Sequence, residues 1–516
     1  MFSNVCGCAF GGIYAQIVRV ETDASFGIPS IEVVGGPGSE VRESRDRVRI
    51  AIRNTGYTLR QQKILINLSP AGVRKDGTGL DLPIAIGILL ANELIKSDRI
   101  PYLFFIGELS LSGEIMPVRG VLPSVCAARE AGMPACIVPA DNMAECTDIT
   151  DIQIFGARTL RECCEFINGR GALIDISGCR DDRKNRESGA EDGLHRGIDF
   201  RDVRGQEEAK RAALVAASGM HNIAYIGPPG SGKTMIARRM AGILPSLTYE
   251  ESLELTKIYS AAGLLSGTGL MKKRPFRMPG TKITLPAMLG GGADARPGEV
   301  TLADQGVLFL DEMPEFDVRI LEALRGPLQD GFVRITSLRW AYTFPARILL
   351  AASMNPDKKQ EGGTEKYLPR ISRPLWDRFD IGVRLKPVDF KKLRLRPGAD
   401  DEDCPYTTSH MQQAAEEARL RQLRRFRGSG IHFNSQMGPA EIQQFCRMDA
   451  GGERMVEEFY RRNQLSVRGY HRMLKTARTI ADLSGSDRIR EEHLAEAMSY
   501  RSGIEEGRQG TDNERT

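Results

Sequence analysis

The sequence lacks several features that would assign it to common functional classes. Its ten cysteines form no CxxC pair and its six histidines form no H-x(3–5)-H cluster, so the spacing argues against a zinc site. No apolar run reaches the roughly 18 residues of a membrane span, and the longest, Leu82 to Leu90, predicts a core helix. The amino terminus has no basic region followed by an apolar one, which predicts a cytoplasmic protein with reduced, mostly buried thiols.

The chain also lacks a strong charge of either sign. A net charge of +4 over 516 residues is only mildly basic, so any surface for nucleic acid must be a local cluster. Hydrophobic residues make up 41% and charged residues 27%, which is ordinary for a globular protein. At this length one hydrophobic core is not enough, and about two to four domains are expected.

Patterning along the chain predicts an α/β multidomain protein. Apolar runs at 16–20, 31–34 and 63–68 predict strands, and residues 40–54 predict a surface helix. Residues 175–195 are polar and charged, which is typical of a linker. Helices are predicted near 411–427, 453–462, 467–484 and 490–500. The predicted segments are an N-terminal α/β domain (1–174), a linker (175–195), a central domain (196–390), a connecting loop (391–409), a helical lid (410–505) and a disordered tail (506–516).

One segment of the central domain fits the phosphate-binding pattern G-x-x-x-x-G-K-[ST]. It follows an apolar strand at 223–226 and opens a helix at 235–240. Glycines let backbone N–H groups approach phosphates, and the helix N-terminus adds positive potential. We expect Lys233 to reach the β- and γ-phosphates of ATP and the Thr234 hydroxyl to bind Mg²⁺. The predicted cofactor-binding residues are Gly227, Pro228, Pro229, Gly230, Ser231, Gly232, Lys233 and Thr234, together with Asp311.

Two later strands end in polar residues that complete the predicted site. Asp311 and Glu312 follow the apolar run 307–310, at the carboxyl end where ligands bind doubly wound sheets. Asp311 is expected to hold Mg²⁺, and Glu312 to orient and polarise the attacking water. Asn355 follows another apolar run and is expected to align that water, although before Pro356 it could equally be a turn residue.

This order of motifs, a P-loop, an Asp-Glu strand, an Asn strand and a helical lid, resembles the AAA+ ATPases. Further segments are similar to the magnesium-chelatase-like group of ComM type, and they cover nearly the whole chain. The resemblance implies a central parallel sheet with helices, a C-terminal helical lid, and ATP and Mg²⁺ as cofactors. The similar segments are Arg274–Arg277, Arg296–Glu299, Leu310–Phe316, Tyr342–Arg347 and Arg472–Leu483.

The resemblance also implies a ring, usually a hexamer, with ATP at the subunit interfaces. Arg378 matches the arginine finger that reaches a neighbouring subunit's phosphates. A local ion pair of Arg378 with Asp377 or Asp380 is the alternative. Arg468 matches the lid arginine that senses the γ-phosphate, and Arg472, one helical turn on, is the competing candidate.

The N-terminal domain resembles the Lon-type protease domain through Lys75–Gly79 and Gly107–Glu114. Gly79 stands where that family has its serine nucleophile, and Leu122 stands where it has the lysine of the catalytic dyad. Without a hydroxyl and an amine base no acyl-enzyme forms. The domain is therefore predicted to be S5-like, Lon-protease-like and without proteolytic activity.

Two positions depart from the ComM-type pattern. Gly280-Thr281 replaces the usual His-His pair, and the loop at 357–366 is shorter and has no cysteine. Both departures leave the ATP site intact.

The family resemblance implies action on DNA, as a branch-migration motor in homologous recombination or natural transformation. From the residues alone, the basic residues near 271–277, 334 and 339 are more readily explained as a solvated charge run. A chelatase-type remodeller with partner subunits and a protein remodeller without DNA are the alternatives. The predicted DNA contacts are Lys272, Lys273, Arg274, Arg277 and, flanking a predicted hairpin, Arg334 and Arg339.

Overall fold

The computed structural model describes residues 1–72, 75–178, 198–265, 267–292, 295–336, 341–355, 371–387 and 406–512, with side chains as far as Ile504. These residues form two compact units. Unit 1 comprises Met1–Glu191, Tyr249–Met271 and Ala293–Pro297. Unit 2 comprises Asp192–Thr248, Lys272–Gly292 and Gly298–Thr516.

Up to Asp175, the described part of unit 1 contains ten strands and four α-helices. The strands are Phe2–Gly11 (β1), Tyr14–Ser25 (β2), Ser30–Val34 (β3), Lys63–Ser69 (β4), Leu103–Phe105 (β5), Glu108–Leu109 (β6), Ile115–Met116 (β7), Ala135–Pro139 (β8), Gln153–Ala157 (β9) and Ile174–Asp175 (β10). The helices are Ser39–Asn54 (α1), Asp81–Ala91 (α2), Val121–Glu130 (α3) and Leu160–Ile167 (α4).

The main sheet of unit 1 has eight strands in the order β10-β9-β8-β5-β1-β2-β4-β3. Strand β2 pairs antiparallel with β1 and with β4, whereas β5, β8 and β9 run parallel. Val18, Val20, Thr22 and Ala24 alternate with more exposed residues, so one face of β2 enters the core. Helix α2 is buried along nearly its whole length, as its uninterrupted apolar sequence predicts.

From residue 198 onward the chain adds nine strands and thirteen helices among the described residues. The strands are Ile223–Ile226 (β11), Phe276–Arg277 (β12), Gly290–Gly291 (β13), Arg296–Pro297 (β14), Val307–Leu310 (β15), Phe332–Thr336 (β16), Ala341–Pro345 (β17), Leu349–Met354 (β18) and Ile381–Arg384 (β19). The helices are Glu207–Gly219 (α5), Lys233–Met240 (α6), Tyr249–Ala262 (α7), Leu285–Leu289 (α8), Glu299–Leu302 (α9), Val318–Ala323 (α10), Pro327–Asp330 (α11), Arg373–Trp376 (α12), Thr408–Arg425 (α13), Pro439–Phe445 (α14), Ala450–Asn463 (α15), Val467–Leu483 (α16) and Glu491–Asp512 (α17).

The central sheet of unit 2 is wholly parallel, with the order β12-β15-β18-β11-β19. Strands β11, β15 and β18 are buried at every residue, which is typical of a parallel sheet covered on both faces. Because β11, β15 and β18 are neighbours and run the same way, the residues that follow them meet at one edge. The lid helices share a hydrophobic core with this sheet, through residues such as Met473 and Leu494. The predicted fold class is confirmed.

Some predicted boundaries differ from the structure. Helix α13 spans Thr408–Arg425 rather than the predicted 411–427, and helix α14 was not predicted. Helix α17 continues to Asp512, so the predicted disordered tail from 506 is wrong for its first seven residues, 506–512. The linker at 175–195 and the connecting loop at 391–409 lie mostly outside the described residues. No helix within the described ranges is long and apolar enough to cross a membrane.

The predicted central domain is not one contiguous body. Residues 249–271, including α7, belong to unit 1 although the segments before and after them belong to unit 2. Ser260 on α7 donates a hydrogen bond to the buried carboxylate of Glu145 at 2.5 Å. The backbone N of Leu270 donates to Asp148 at 2.7 Å. Sequence patterning misses this arrangement. The spacing of apolar residues along a helix shows which face is buried, but it does not show which unit packs against that face.

Candidate active site

The loop between β11 and α6 has the geometry of a phosphate cradle. Strand β11 ends at Ile226, and α6 begins at Lys233 after a turn in which Gly230 and Gly232 have φ of +77° and +96°. These values favour glycine. A Cβ atom at Gly230 or Gly232 would meet nothing within 4 Å, so open space lies beside the loop. The buried hydroxyl of Ser231 has no hydrogen-bond partner among the described residues. An acceptor such as a phosphate oxygen would satisfy it.

Lys233 lies across this loop. Its ammonium donates to the carbonyl oxygens of Gly227 at 2.6 Å and Pro228 at 2.8 Å, and to Asn355 Oδ1 at 2.8 Å. Burial lowers the pKa of Lys233, and the negative charges of Asp311 and Glu312 oppose that shift. The contact with Asn355 joins the ends of β11 and β18, as the strand order requires.

A second group of contacts surrounds Asp311. Thr234 Oγ1 lies 3.0 Å from Asp311 Oδ2, and Ser353 Oγ donates to Asp311 Oδ1 at 2.5 Å. Hydroxyl and carboxylate oxygens are the ligands that Mg²⁺ prefers, and carboxylates with substrate phosphates commonly complete its shell. The residues present therefore fit a magnesium ion held by Thr234 and Asp311.

Glu312 follows directly and has an unusual backbone. Its φ of 51° is left-handed, an uncommon state for a residue other than glycine. Its backbone N donates to Ser353 Oγ at 2.8 Å, which holds this conformation, while its side chain is exposed. A carboxylate held at the strand end and open to water suits a group that polarises water.

Sequence reasoning did not single out Ser353. It contacts both Asp311 and the backbone of Glu312, so it fixes the two acidic residues relative to β18. The available signal was a lone hydroxyl in an otherwise apolar, fully buried strand. A buried polar side chain of this kind requires a partner, and the partner lies at the site.

Arg378 lies apart from this cluster. The residue is only 6% exposed, and its guanidinium donates to the carbonyl of Pro374 at 2.8 Å and to Gln329 Oε1 at 2.6 Å. A longer contact of 3.4 Å reaches the carbonyl of Arg325. Burial lowers the pKa of Arg378, and the neighbouring charges of Arg468 and Arg472 lower it further. Action of Arg378 on a neighbouring subunit stays a prediction.

The two candidate lid arginines differ in their surroundings. Arg472 Nη1 donates to Asp380 Oδ1 at 2.7 Å and to the carbonyl of Arg378 at 2.8 Å. Asp380 therefore pairs with Arg472. Arg468 lies in the first turn of α16 and is exposed. Of the two, Arg468 keeps its side chain available for a phosphate.

The predicted DNA cluster is only partly exposed. Arg274 is buried and donates to the carbonyls of Pro245 at 2.6 Å and Gln305 at 2.8 Å. Arg277 forms two hydrogen bonds of 2.6 Å with the carboxylate of Glu299. These two arginines therefore serve the fold, and the prediction that they contact DNA is not supported.

The remaining members of that cluster have different outcomes. Lys272, Lys273 and Arg334 are exposed. Arg334 lies on the hairpin of β16 and β17, where it pairs with Thr343 across the strands. Arg339 and the cysteine-free loop at 357–366 lie outside the described residues.

Comparison with known proteins agrees with the motifs. The family described as magnesium chelatase, subunit ChlI, matches residues 199–393, and its C-terminal part matches 406–501. Subunit ChlI of Mg-chelatase matches residues 20–142. The chain is 36% identical over 503 residues to the competence protein ComM of Haemophilus influenzae, covering 96% of each chain. It is 38% identical over 503 residues to the uncharacterized protein YifB of Escherichia coli, covering 95% of each. Lon protease 2 of Bacillus subtilis is 30% identical over 148 residues, 27% of this chain and 26% of that protein.

Proposed function

The chain belongs to the magnesium-chelatase-like AAA+ family of ComM type, and from that membership we propose that it hydrolyses ATP and acts on DNA. The observation that carries the ATPase is the meeting of three strand ends. Lys233 contacts Asn355, Thr234 contacts Asp311, and the backbone of Glu312 is held beside them. Each side chain has the chemistry that phosphoryl transfer needs.

The proposed roles follow from the positions of these groups. Backbone N–H groups of the loop and the Lys233 ammonium bind the β- and γ-phosphates. Thr234 and Asp311 would hold Mg²⁺, which when bound would neutralise charge on the phosphate oxygens. Glu312 takes up the proton of the attacking water, and Asn355 orients that water opposite the γ-phosphate.

Two arginines extend the proposal to an assembly. Arg468 on the lid reports the γ-phosphate of its own subunit. Arg378 stabilises the phosphoryl group bound by a neighbouring subunit in a ring, usually a hexamer in this family. For Arg378 to do so, its bonds with Pro374 and Gln329 must exchange for bonds with phosphate when the ring forms.

For DNA, the proposal rests on family membership and on a few exposed cations. ComM of Haemophilus influenzae is a competence protein by name. In this chain Lys272, Lys273 and Arg334 are exposed, and Arg334 projects from a two-stranded hairpin. Such groups bind phosphates through counterion release with little sequence preference. We propose branch migration during recombination or natural transformation as the process.

The decisive experiment measures ATP hydrolysis without DNA and with single-stranded, duplex or four-way-junction DNA, at two salt concentrations. The proposal expects DNA to stimulate hydrolysis strongly at low salt and weakly at high salt. Arg334→Ala should lose much of that stimulation while its DNA-free rate persists. Arg161→Ala, which removes an exposed arginine of unit 1, is the matched control and should respond like the wild type. Hydrolysis indifferent to every DNA would overturn the DNA part alone.

A second candidate function is a chelatase-type remodeller that works with partner subunits. The descriptions of the matching families favour it, because they name magnesium chelatase. It predicts hydrolysis that responds to partner subunits and a porphyrin but not to DNA. A remodeller of proteins would respond to neither DNA nor porphyrin, so the hydrolysis assay separates the three when it is repeated with a porphyrin and partner subunits.

A further inference from the structure

Residues 378–380 form a segment, here called the Arg378 segment, that is joined to the lid through one buried carboxylate. Asp380 lies two residues after Arg378, at the start of β19. Its Oδ1 accepts a hydrogen bond from Arg472 Nη1 at 2.7 Å, and its Oδ2 accepts one from the backbone N of Asn222 at 3.0 Å. Asn222 immediately precedes β11, the strand that leads to the phosphate loop. Asp380 therefore connects the lid, the Arg378 segment and the base of the loop strand.

Arg472 makes a second contact with the Arg378 segment. The same Nη1 atom that contacts Asp380 also donates to the carbonyl oxygen of Arg378 at 2.8 Å. Asn222 Nδ2 donates to that carbonyl as well, at 2.9 Å. The backbone carbonyl of Arg378 is thus held by Arg472 from the lid and by Asn222 from the turn before β11. Both residues also contact Asp380.

The carboxylate of Asp380 is an anion in this setting. Burial opposes its ionisation, but the charge of Arg472 and the nearby ring of His221 outweigh burial and hold its pKa below the usual range. His221 Nδ1 lies 3.6 Å from Asp380, and its Nε2 lies 2.7 Å from Thr479 Oγ1 on α16. A buried ion whose partner is removed is strongly unfavourable, so this pair resists separation.

Helix geometry relates the Arg472–Asp380 pair to Arg468, the candidate sensor of the γ-phosphate. Arg468 precedes Arg472 by four residues on α16, so both side chains project from the same face one turn apart. Whatever fixes Arg472 therefore also fixes the face of α16 from which Arg468 projects. Arg472 also contacts the backbone carbonyl of Arg378, so the helix face that carries Arg468 and Arg472 lies beside Arg378.

We propose that Asp380 is a positioning residue for ATP hydrolysis, whose carboxylate holds Arg472 and thereby sets the places of Arg468 and Arg378 relative to the phosphate loop. Asp380 does not touch the nucleotide. It ties the position of the lid to the loop strand, so that the protein distinguishes ATP from ADP. The inference rests on the proposed ATPase function.

The test is the preference for a non-hydrolysable ATP analogue over ADP, measured by calorimetry with Mg²⁺ present. Asp380→Asn keeps the size of the side chain and removes its charge. We expect the preference to fall about tenfold, the size of one lost charge-assisted hydrogen bond, while ADP affinity stays within about twofold. The kcat should fall by about ten- to a hundredfold, because the arginines would no longer be held in place.

A matched control removes another ion pair between the core and the lid. Glu496 on α17 accepts hydrogen bonds from Arg211 on α5 at 2.9 and 3.3 Å, and within the described residues this ion pair does not include Asp380 or Arg472. Glu496→Gln should leave the preference for the ATP analogue unchanged. An equal loss of preference in this control would reduce Asp380 to a general stabiliser of the lid, and the inference would be wrong.

A second pair of variants keeps the test decisive if Asp380→Asn does not fold. Arg472 is partly exposed, so it tolerates change more readily than Asp380. Arg472→Gln should lose the preference, and Arg472→Lys, which retains the charge, should keep most of it. An unchanged preference in Arg472→Gln contradicts the inference. A wild-type protein that binds neither nucleotide contradicts the proposed function instead.

Discussion

Both units contain a glycine-bearing turn ahead of a helix at a place where related proteins carry out chemistry, and the two turns differ in the space around them. In unit 1 a Cβ atom at Gly79 would lie 3.3 Å from the Ile106 side chain, and Leu122 is fully buried. In unit 2 a Cβ atom at Gly230 or Gly232 would meet nothing within 4 Å. The turn at Gly79 is closed by apolar packing, whereas the turn at Gly230 and Gly232 is open.

The polar groups differ in the same sense. In unit 1, Thr78 donates to Glu108 at 2.5 Å, and Asp81 is bound by Arg47 at 2.6 Å, so the side chains satisfy one another. In unit 2 the buried Ser231 hydroxyl has no partner within the part of the chain that the structure describes. A fold can thus persist where the chemistry does not. A reaction site also requires open space and polar groups whose hydrogen bonds are left for a ligand.

The largest effect is expected from a variant that removes the proposed catalytic carboxylate of unit 2 and leaves the site open. Glu312→Gln keeps the shape of the side chain and removes the carboxylate that polarises water. We expect kcat to fall by about 10²- to 10⁴-fold with ATP binding retained, the usual contribution of a general base. Glu315→Gln, three residues on, is the control and should hydrolyse ATP normally. A near-normal kcat in Glu312→Gln would remove Glu312 from the mechanism.

A smaller effect is expected when the binding charge is removed. Lys233→Ala should weaken ATP binding about 100-fold, the equivalent of two charge-assisted hydrogen bonds to phosphate. Equilibrium binding measures this loss, and a melting curve checks that the fold persists. Lys282→Ala, at an exposed lysine of the same unit, should bind as the wild type does. Tight ATP binding by Lys233→Ala would contradict the P-loop assignment.

In unit 1 a restored hydroxyl should not restore chemistry. Gly79→Ser should show no peptidase activity, because no amine base stands at Leu122. It should also cost about 1 kcal/mol of unfolding free energy, since its Cβ must displace Ile106. Gly72→Ser, where a Cβ would meet nothing within 4 Å, is the control and should be close to neutral. Peptide cleavage by Gly79→Ser would contradict the closed-site interpretation.

The smallest expected effect concerns pH, and it should have opposite signs in the two units. Burial raises the pKa of Glu145 in unit 1, so its stabilising contribution is complete below the usual Glu pKa and is lost as pH rises through the raised value. Asp380 in unit 2 has a lowered pKa, so its contribution is complete above the usual Asp pKa and is lost as pH falls.

Glu145→Gln tests this difference. The variant should gain stability relative to the wild type as pH rises above about 4.3, the usual Glu value. Urea unfolding of both proteins at several pH values measures the gain. Asp380→Asn should instead lose stability relative to the wild type as pH rises toward about 3.9, the usual Asp value, and the full difference should persist above it. Parallel pH profiles for Glu145→Gln and the wild type would contradict the assignment to Glu145.

Much of the nucleotide site was predictable because its motifs are local. Gly227–Thr234 contains its own turn, cradle and helix start, and the apolar runs before Asp311 and Asn355 identify buried strands. Parallel strands in one sheet end at the same edge, so these residues were expected to meet. Ser353 was missed because its role depends on the register between β15 and β18.

The arginines were the least predictable part. Arg274, Arg277 and Arg334 have the same charge and similar sequence surroundings, and only the folded chain separates them. Arg274 is buried among carbonyl oxygens, Arg277 pairs with Glu299, and Arg334 is exposed. A long, flexible cation can satisfy its donors in many ways, so sequence spacing does not say which partner it finds.

The sequence by itself indicated the family, a central parallel sheet and the residues expected to bind phosphate, because these depend on short patterns of apolar runs and glycines. The tertiary structure decided that residues 249–271 belong to unit 1, that Arg472 pairs with Asp380, and that Arg468 keeps its side chain exposed. Those outcomes depend on which surfaces meet in space. The free energy of a buried charge or an apolar face is set by its neighbours, and those neighbours come from distant parts of the chain.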